Sequence, residues 1–312
     1  IVMVIVVFFL TVIGMGLLFS DRNTSYVKVK EESSFPIIFS MYHNKDLYNV
    51  MHGYAGEINS ATISKGITIV QSDRIVRLHI KDELDVINKL EYSLYDLVLG
   101  VEVDYKNVTD TIIEKSDDSK EVEILFGDHV GFVEGRQYEF RIKATVGSTI
   151  ATYYTDIMYT NYNYVDQHID FALDFSNKTF TDKNREELEW YMETKRGYKW
   201  DKDYTKVTIY DPISAVMWED IQVDKVYDPV PVVKQVTPDD TIVELRYLVK
   251  IQDRYAKHYD VVERYLIRTY NDTIYLNSYE RELEPRFSLG DIDTTEKRVN
   301  LGLGEGKDFQ GT

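Results

Sequence analysis

Between positions 136 and 146 the chain alternates strictly. Tyr138, Phe140, Ile142, Ala144 and Val146 interleave with Glu139, Arg141, Lys143 and Thr145. A period of two places one set on a buried face and the other in water, the signature of a half-buried strand. Gly147-Ser148 follows, a pair that supplies positive φ for a tight hairpin, and a second strand is predicted over 149–159. Similar short strands are expected at 36–42, 47–51, 66–70, 74–81, 87–96, 98–104 and 121–126, separated by polar turns such as His43-Asn44-Lys45-Asp46. Many short strands without a long helical pattern predict a β-sandwich over 36–160, immunoglobulin-like in rhythm, although the Cys and Trp hallmarks of antibody domains are missing.

The period changes after position 160. Ile169, Ala172, Leu173 and Phe180 fall on one helical face, and so do Leu188, Tyr191 and Met192, so helices are predicted over 166–180 and 182–196. Strands return at 204–210, 214–227, 230–236, 241–252, 257–270 and 273–283, with Asn271-Asp272 as a two-residue hairpin. Helices followed by an antiparallel meander predict an α+β domain over 161–287: two helices on a curved sheet, cystatin-like or nuclear-transport-factor-like. The two segments are expected to fold as separable units. From 288 to 312 the periodicity is lost, which reads as a linker or the truncated start of a further domain.

The first twenty residues carry no charge, and twenty helical residues span about 30 Å, a hydrocarbon core. An uncleaved transmembrane anchor over 1–20 is therefore expected, with 21–35 as a juxtamembrane linker. A cleaved secretory signal is the competing reading, but the exit GLLFSDR lacks the usual pair of small residues. The chain begins at Ile1, so orientation is inferred from size, with the bulk of the chain outside the cell.

Composition narrows the function classes. Absence of Cys excludes disulfide frameworks, thiol catalysis and iron–sulfur clusters, and it suits the surface of a Gram-positive bacterium without a disulfide-forming periplasm. A net charge of −17 argues against nucleic acid and anionic lipid as partners. The six His residues show no metal-ligand spacing, so no metal and no cofactor is expected. Gly302, Gly304, Gly306 and Lys307 lack the strand and the Ser/Thr of a phosphate loop.

Aromatic residues are abundant, with 25 Tyr, 13 Phe and 3 Trp. Tyr suits half-exposed strands, which explains most of them, and Trp218, Tyr247 and Tyr265 are the candidates for a ligand-binding platform. The fourth candidate is Glu263. It shares strand parity with Tyr259, Val261, Tyr265 and Ile267, so alternation turns its carboxylate towards the apolar face unless a bulge or a paired donor accounts for it. No catalytic residue is assigned.

The stretches FPIIFSMYHNKDLYNVMHGYAGEINSATISKGITIVQSDRIVRLHI, VMWEDIQVDKV and VVERYLIRTYNDTIYLNSYERELE resemble the extracellular head of large, single-pass, uncharacterised surface proteins of clostridial bacteria. The resemblance covers most of 1–300 and implies a truncated head followed by a repeated, propeller-like region. It assigns no residue roles. The expected function is a membrane-anchored, non-enzymatic head that binds, senses or scaffolds at the cell envelope, with an envelope protein or a glycan as partner. The alternative is an enzyme or small-ligand pocket inside the cone of the second domain.

Overall fold

A computed structural model describes residues 37–43, 46–55, 58–82, 86–116, 119–162, 164–193, 198–252 and 257–286, with two short strands near the C-terminal end, 292–293 and 298–299. The anchor expected at 1–20 and the linker at 21–35 lie outside the described residues. Among the described residues no helix is long and apolar enough to cross a membrane. The fold is mainly β.

The first segment forms two sheets. Strands β1 (Ile38–His43), β2 (Asp46–His52), β5 (Ile75–Lys81), β8 (Ile113–Ser116) and β9 (Ser119–Leu125) run in the order β2-β1-β5-β9-β8. Strands β3 (Tyr54–Ala55), β6 (Lys89–Asp96), β7 (Val101–Asn107), β10 (Gln137–Val146) and β11 (Thr149–Tyr159) run in the order β3-β11-β10-β6-β7. Strand β4 (Ile67–Val70) lies parallel to β11, with Asp156 opposite Ile67. The inward-facing rings of the two sheets meet edge to face. Phe39 lies 4.5 Å from Tyr153, and Phe126 lies 5.7 Å from Tyr92 and 6.0 Å from Phe140. Aromatic pairs in these geometries add to the area they bury, about 0.5–1.5 kcal/mol each.

The second segment opens with helix α1 (Val165–Lys178) and closes with an antiparallel sheet. Its strands are β12 (Lys206–Thr208), β13 (Val223–Lys225), β14 (Val230–Val236), β15 (Asp240–Ile251), β16 (Lys257–Tyr270) and β17 (Thr273–Pro285). They run in the order β12-β17-β16-β15, with both β13 and β14 on the free edge of β15. Phe175 carries α1 onto this sheet, 5.6 Å from Tyr265 and 5.3 Å from Tyr279. Asn271 and Asp272, at φ 47° and 57°, make the β16–β17 turn, as their short polar side chains allow.

Two expected elements differ. Among the described residues of the helix predicted over 182–196, α-helix runs from Arg185 to Glu189 (α2), after a 3-10 turn at Asp182–Asn184, and 194–196 lie outside the described residues. The strand predicted over 214–227 is instead helix α3 (Ile213–Val216), a turn, and β13. Pro212 starts α3 with its fixed φ of −63°, and Ile213, Val216 and Met217 recur at helical spacing, so a period of two was the wrong ruler there.

The two segments meet along β14. Asn49, on β2, is buried in a left-handed conformation at φ 49°. Its Nδ2 donates to Ile67 O (2.9 Å) and Thr68 Oγ1 (3.0 Å), and its Oδ1 accepts from Val233 N (2.9 Å). One amide thus ties β2, β4 and β14 together. A Cβ on Gly66 would stand 2.3 Å from that Oδ1, so the position requires glycine.

Candidate functional site

Strand β16 keeps its alternation. Tyr259, Val261, Glu263, Tyr265 and Ile267 all point inward and are buried, and Glu263 is fully buried. Its two carboxylate oxygens each accept one phenolic hydrogen bond, from Tyr265 (2.8 Å) and Tyr279 (3.0 Å). Directly opposite on β17 stands Arg281, also fully buried. Its terminal nitrogens donate to Val216 O (2.8 Å) and Ala215 O (2.7 Å) at the end of α3, and its guanidinium lies 3.3 Å over the ring of Trp218. Carbonyls at a helix end and an aromatic face are favourable surroundings for a cation.

Trp218, Tyr247, Glu263 and Tyr265 are therefore brought together, as one interior cluster completed by Phe175, Phe180, Tyr279 and Arg281. Phe180 bridges its two ends, 5.9 Å from Trp218 and 6.1 Å from Tyr247. Burial first, and then the field of Glu263, push the hydroxyls of Tyr247, Tyr265 and Tyr279 well above the ordinary range, so they stay protonated donors. With both oxygens of Glu263 engaged, this arrangement fixes the carboxylate rather than freeing it for proton transfer. Among the described residues two buried nitrogens of the cluster, Trp218 Nε1 and Arg281 Nε, have no protein hydrogen-bond partner, while the Tyr247 hydroxyl lies against that of Ser176 on α1.

Arg281 and Tyr279 were legible by the same parity argument that singled out Glu263, since Tyr279, Arg281 and Leu283 alternate along β17. Arg264 and Arg268, on the other parity of β16, are half-exposed, so Arg281 is the arginine of this sheet that its parity turns inward.

An open cleft lies elsewhere, between the two segments. It measures about 530 Å³ and is bounded by His52, Tyr54 and Ser64 of the first segment and by Tyr227, Lys234, Arg246 and Arg286 of the second. This is the size of a small-ligand site. Arg286 closes on Asp260 with two contacts, at 3.1 and 3.0 Å. Glu244 is nearly buried and accepts from Arg246 Nε (2.9 Å) and Arg264 Nε (3.1 Å), with Lys234 Nζ 4.0 Å away. These cations, acting against its burial, hold Glu244 below the usual carboxylate range. Burial pulls the Lys234 ammonium down despite Glu244, and its Nζ donates to Ser64 Oγ (2.6 Å) and Lys65 O (3.2 Å), across the segment boundary.

Arg246 differs from these neighbours. It is half-exposed, uses only Nε on Glu244, and leaves both terminal guanidinium nitrogens without a protein partner among the described residues. A planar pair of N–H donors facing an open cleft matches a carboxylate in two parallel hydrogen bonds.

No protein-family model and no curated protein matches this chain.

Proposed function

We propose that this chain is a membrane-anchored, extracellular, non-enzymatic head that binds a carboxylate-bearing ligand, a peptide or an acidic glycan, in the cleft between its two segments. Residues 1–20 serve as the anchor. The observation that carries the reading is Arg246, a cation of the cleft whose terminal nitrogens have no protein partner among the described residues. The interior residues support it from the other side, because Glu263 and Arg281 are committed to protein partners.

The first segment is read as immunoglobulin-like, supported by the order β1-β5-β9-β8 facing β11-β10-β6-β7 and by the parallel β4–β11 edge. The second is read as cystatin-like, supported by a 14-residue helix laid on an antiparallel meander. Titration calorimetry with uronate oligosaccharides and with glutamate-rich peptides tests the binding claim and separates the two ligand sources. Saturable heat that Arg246→Gln abolishes is the expected result, and no heat from either set overturns it. A second reading places a small polar ligand inside the second segment, where Trp218 Nε1 and Arg281 Nε are buried without partners among the described residues. Under that reading Glu263→Gln, not Arg246→Gln, removes binding.

A further inference from the structure

Lys65 ends the loop that leads into β4, Glu139 lies on β10 and Asp156 on β11. Glu139 and Asp156 are direct cross-strand partners. Like charges opposite each other in a sheet repel, and here the two carboxylates are also largely withdrawn from water. Side-chain exposure is 12% for Lys65, 2% for Glu139 and 15% for Asp156. The Lys65 ammonium lies between them, 2.8 Å from Glu139 Oε2 and 2.7 Å from Asp156 Oδ1.

The backbone holds this contact in place. Gly66 O accepts from both Asp156 N (2.9 Å) and Thr155 Oγ1 (2.9 Å), so the residue after Lys65 is tied to the strand that bears Asp156. Lys234 bonds Lys65 O from the other segment. The second oxygen of Glu139 accepts from Arg141 Nε (2.6 Å), and that guanidinium lies 3.9 Å from the centre of the Tyr95 ring. An amine and a carboxyl fixed in contact, with a further carboxylate in reach of the same amine, meet the geometric needs of amide formation: proximity, a proton acceptor and limited water.

We propose that Lys65 and Asp156 become joined by an intramolecular amide between Nζ and Cγ, with Glu139 as the catalytic proton carrier. Glu139 takes one proton from the Lys65 ammonium, and the neutral amine attacks Asp156 Cγ. The C–N bond forms, Glu139 returns that proton to one carboxyl oxygen and then relays the second hydrogen of the attached nitrogen to the same oxygen, and the C–O bond breaks as water departs, leaving one hydrogen on the amide nitrogen. Ammonium plus carboxylate become amide plus water, with no oxidant, reductant or cofactor consumed. Burial raises the Asp156 carboxyl above its ordinary range despite Lys65, which makes its oxygen a readier acceptor of the relayed protons. For Glu139, burial is outweighed by bonds from Lys65, Ser60 and Arg141, which keep it an ionised acceptor. After reaction the Glu139–Arg141 pair remains, and two buried charges have been removed.

The bond would clip the loop before β4 to the last strand of the sandwich, a covalent staple in a chain without Cys. The intact mass of the full chain, purified in detergent from cells, tests the proposal. Wild-type protein should weigh about 18 Da less than its sequence, the mass of one water. Digestion should recover the Lys65 and Asp156 peptides joined. Lys65→Arg should restore the full sequence mass and lower the thermal midpoint by about 10 °C. Asp156→Asn offers an amide leaving group, so that variant should lose ammonia, about 17 Da. Glu139→Gln should block or slow the loss. Folded wild-type protein at its full sequence mass overturns the proposal, whatever the variants do. So does an 18 Da loss that survives in Lys65→Arg, because it would mark dehydration elsewhere.

Discussion

Glu263 shows how a charged residue is accommodated inside a sheet. Two phenolic donors hold its oxygens, and a buried arginine faces it from the next strand. Removing one charge leaves the other buried with less compensation, a loss of several kcal/mol in comparable sites. Glu263→Gln should therefore destabilise the protein by about 2–3 kcal/mol, measured by denaturant unfolding, while leaving ligand binding in the cleft unchanged. His168 supplies a pH-dependent counterpart. It is fully buried on α1, its Nε2 is 2.8 Å from Thr269 Oγ1, and burial pushes it down to about 4. Its folded value lies below the unfolded one near 6.5, so the unfolded chain binds the extra proton first. Stability should be complete above about pH 6.5 and fall as pH drops towards 4, by about 3 kcal/mol from this residue. Thermal melts between pH 7 and 4 check this, and His168→Gln should flatten that part of the profile.

At the scale of elements, Asn49 joins β2, β4 and β14 through one side chain. Asn49→Ala removes three hydrogen bonds and puts alanine at positive φ, so a loss of about 2–4 kcal/mol is expected. Because Asn49 bonds β14 to the first segment, the wild type should unfold in one calorimetric transition and this variant in two. The sheets themselves were legible in sequence wherever one face is wet, since β10 and β16 keep a period of two and β17 does so from Tyr279 onward, past the bulge at Asn277. The short elements were not. Helix α3 has only four residues, β8 is an edge strand of four, and at that length local pattern yields to what packs against it. Nor could the sequence reveal Lys65 beside Glu139 and Asp156. Those residues are brought together by sheet pairing and by a loop folded over the outer face of β10, which no local spacing encodes.

For the whole molecule, acidity and architecture pull in different directions. A chain of net charge −17 repels anions at long range, yet the cleft between its two segments presents Arg246 with a donor pair that is open among the described residues. Such a site selects ligands that carry their own hydrogen-bonding groups, and their binding should weaken as the cation is removed rather than as the core is altered. Deleting 1–20 should release the head in soluble form with the same ligand preference, a test of the anchor separate from the site. The most direct measurement compares two variants in one titration series with carboxylate-bearing oligosaccharides and peptides. Arg246→Gln should abolish the heat of binding, a loss of at least tenfold in affinity or about 1.4 kcal/mol, with a smaller drop in thermal midpoint than Glu263→Gln because Arg264 still bonds Glu244. Glu263→Gln should keep its affinity and lose stability. The reverse pattern, binding lost in Glu263→Gln and kept in Arg246→Gln, would move the site to the interior and contradict the account.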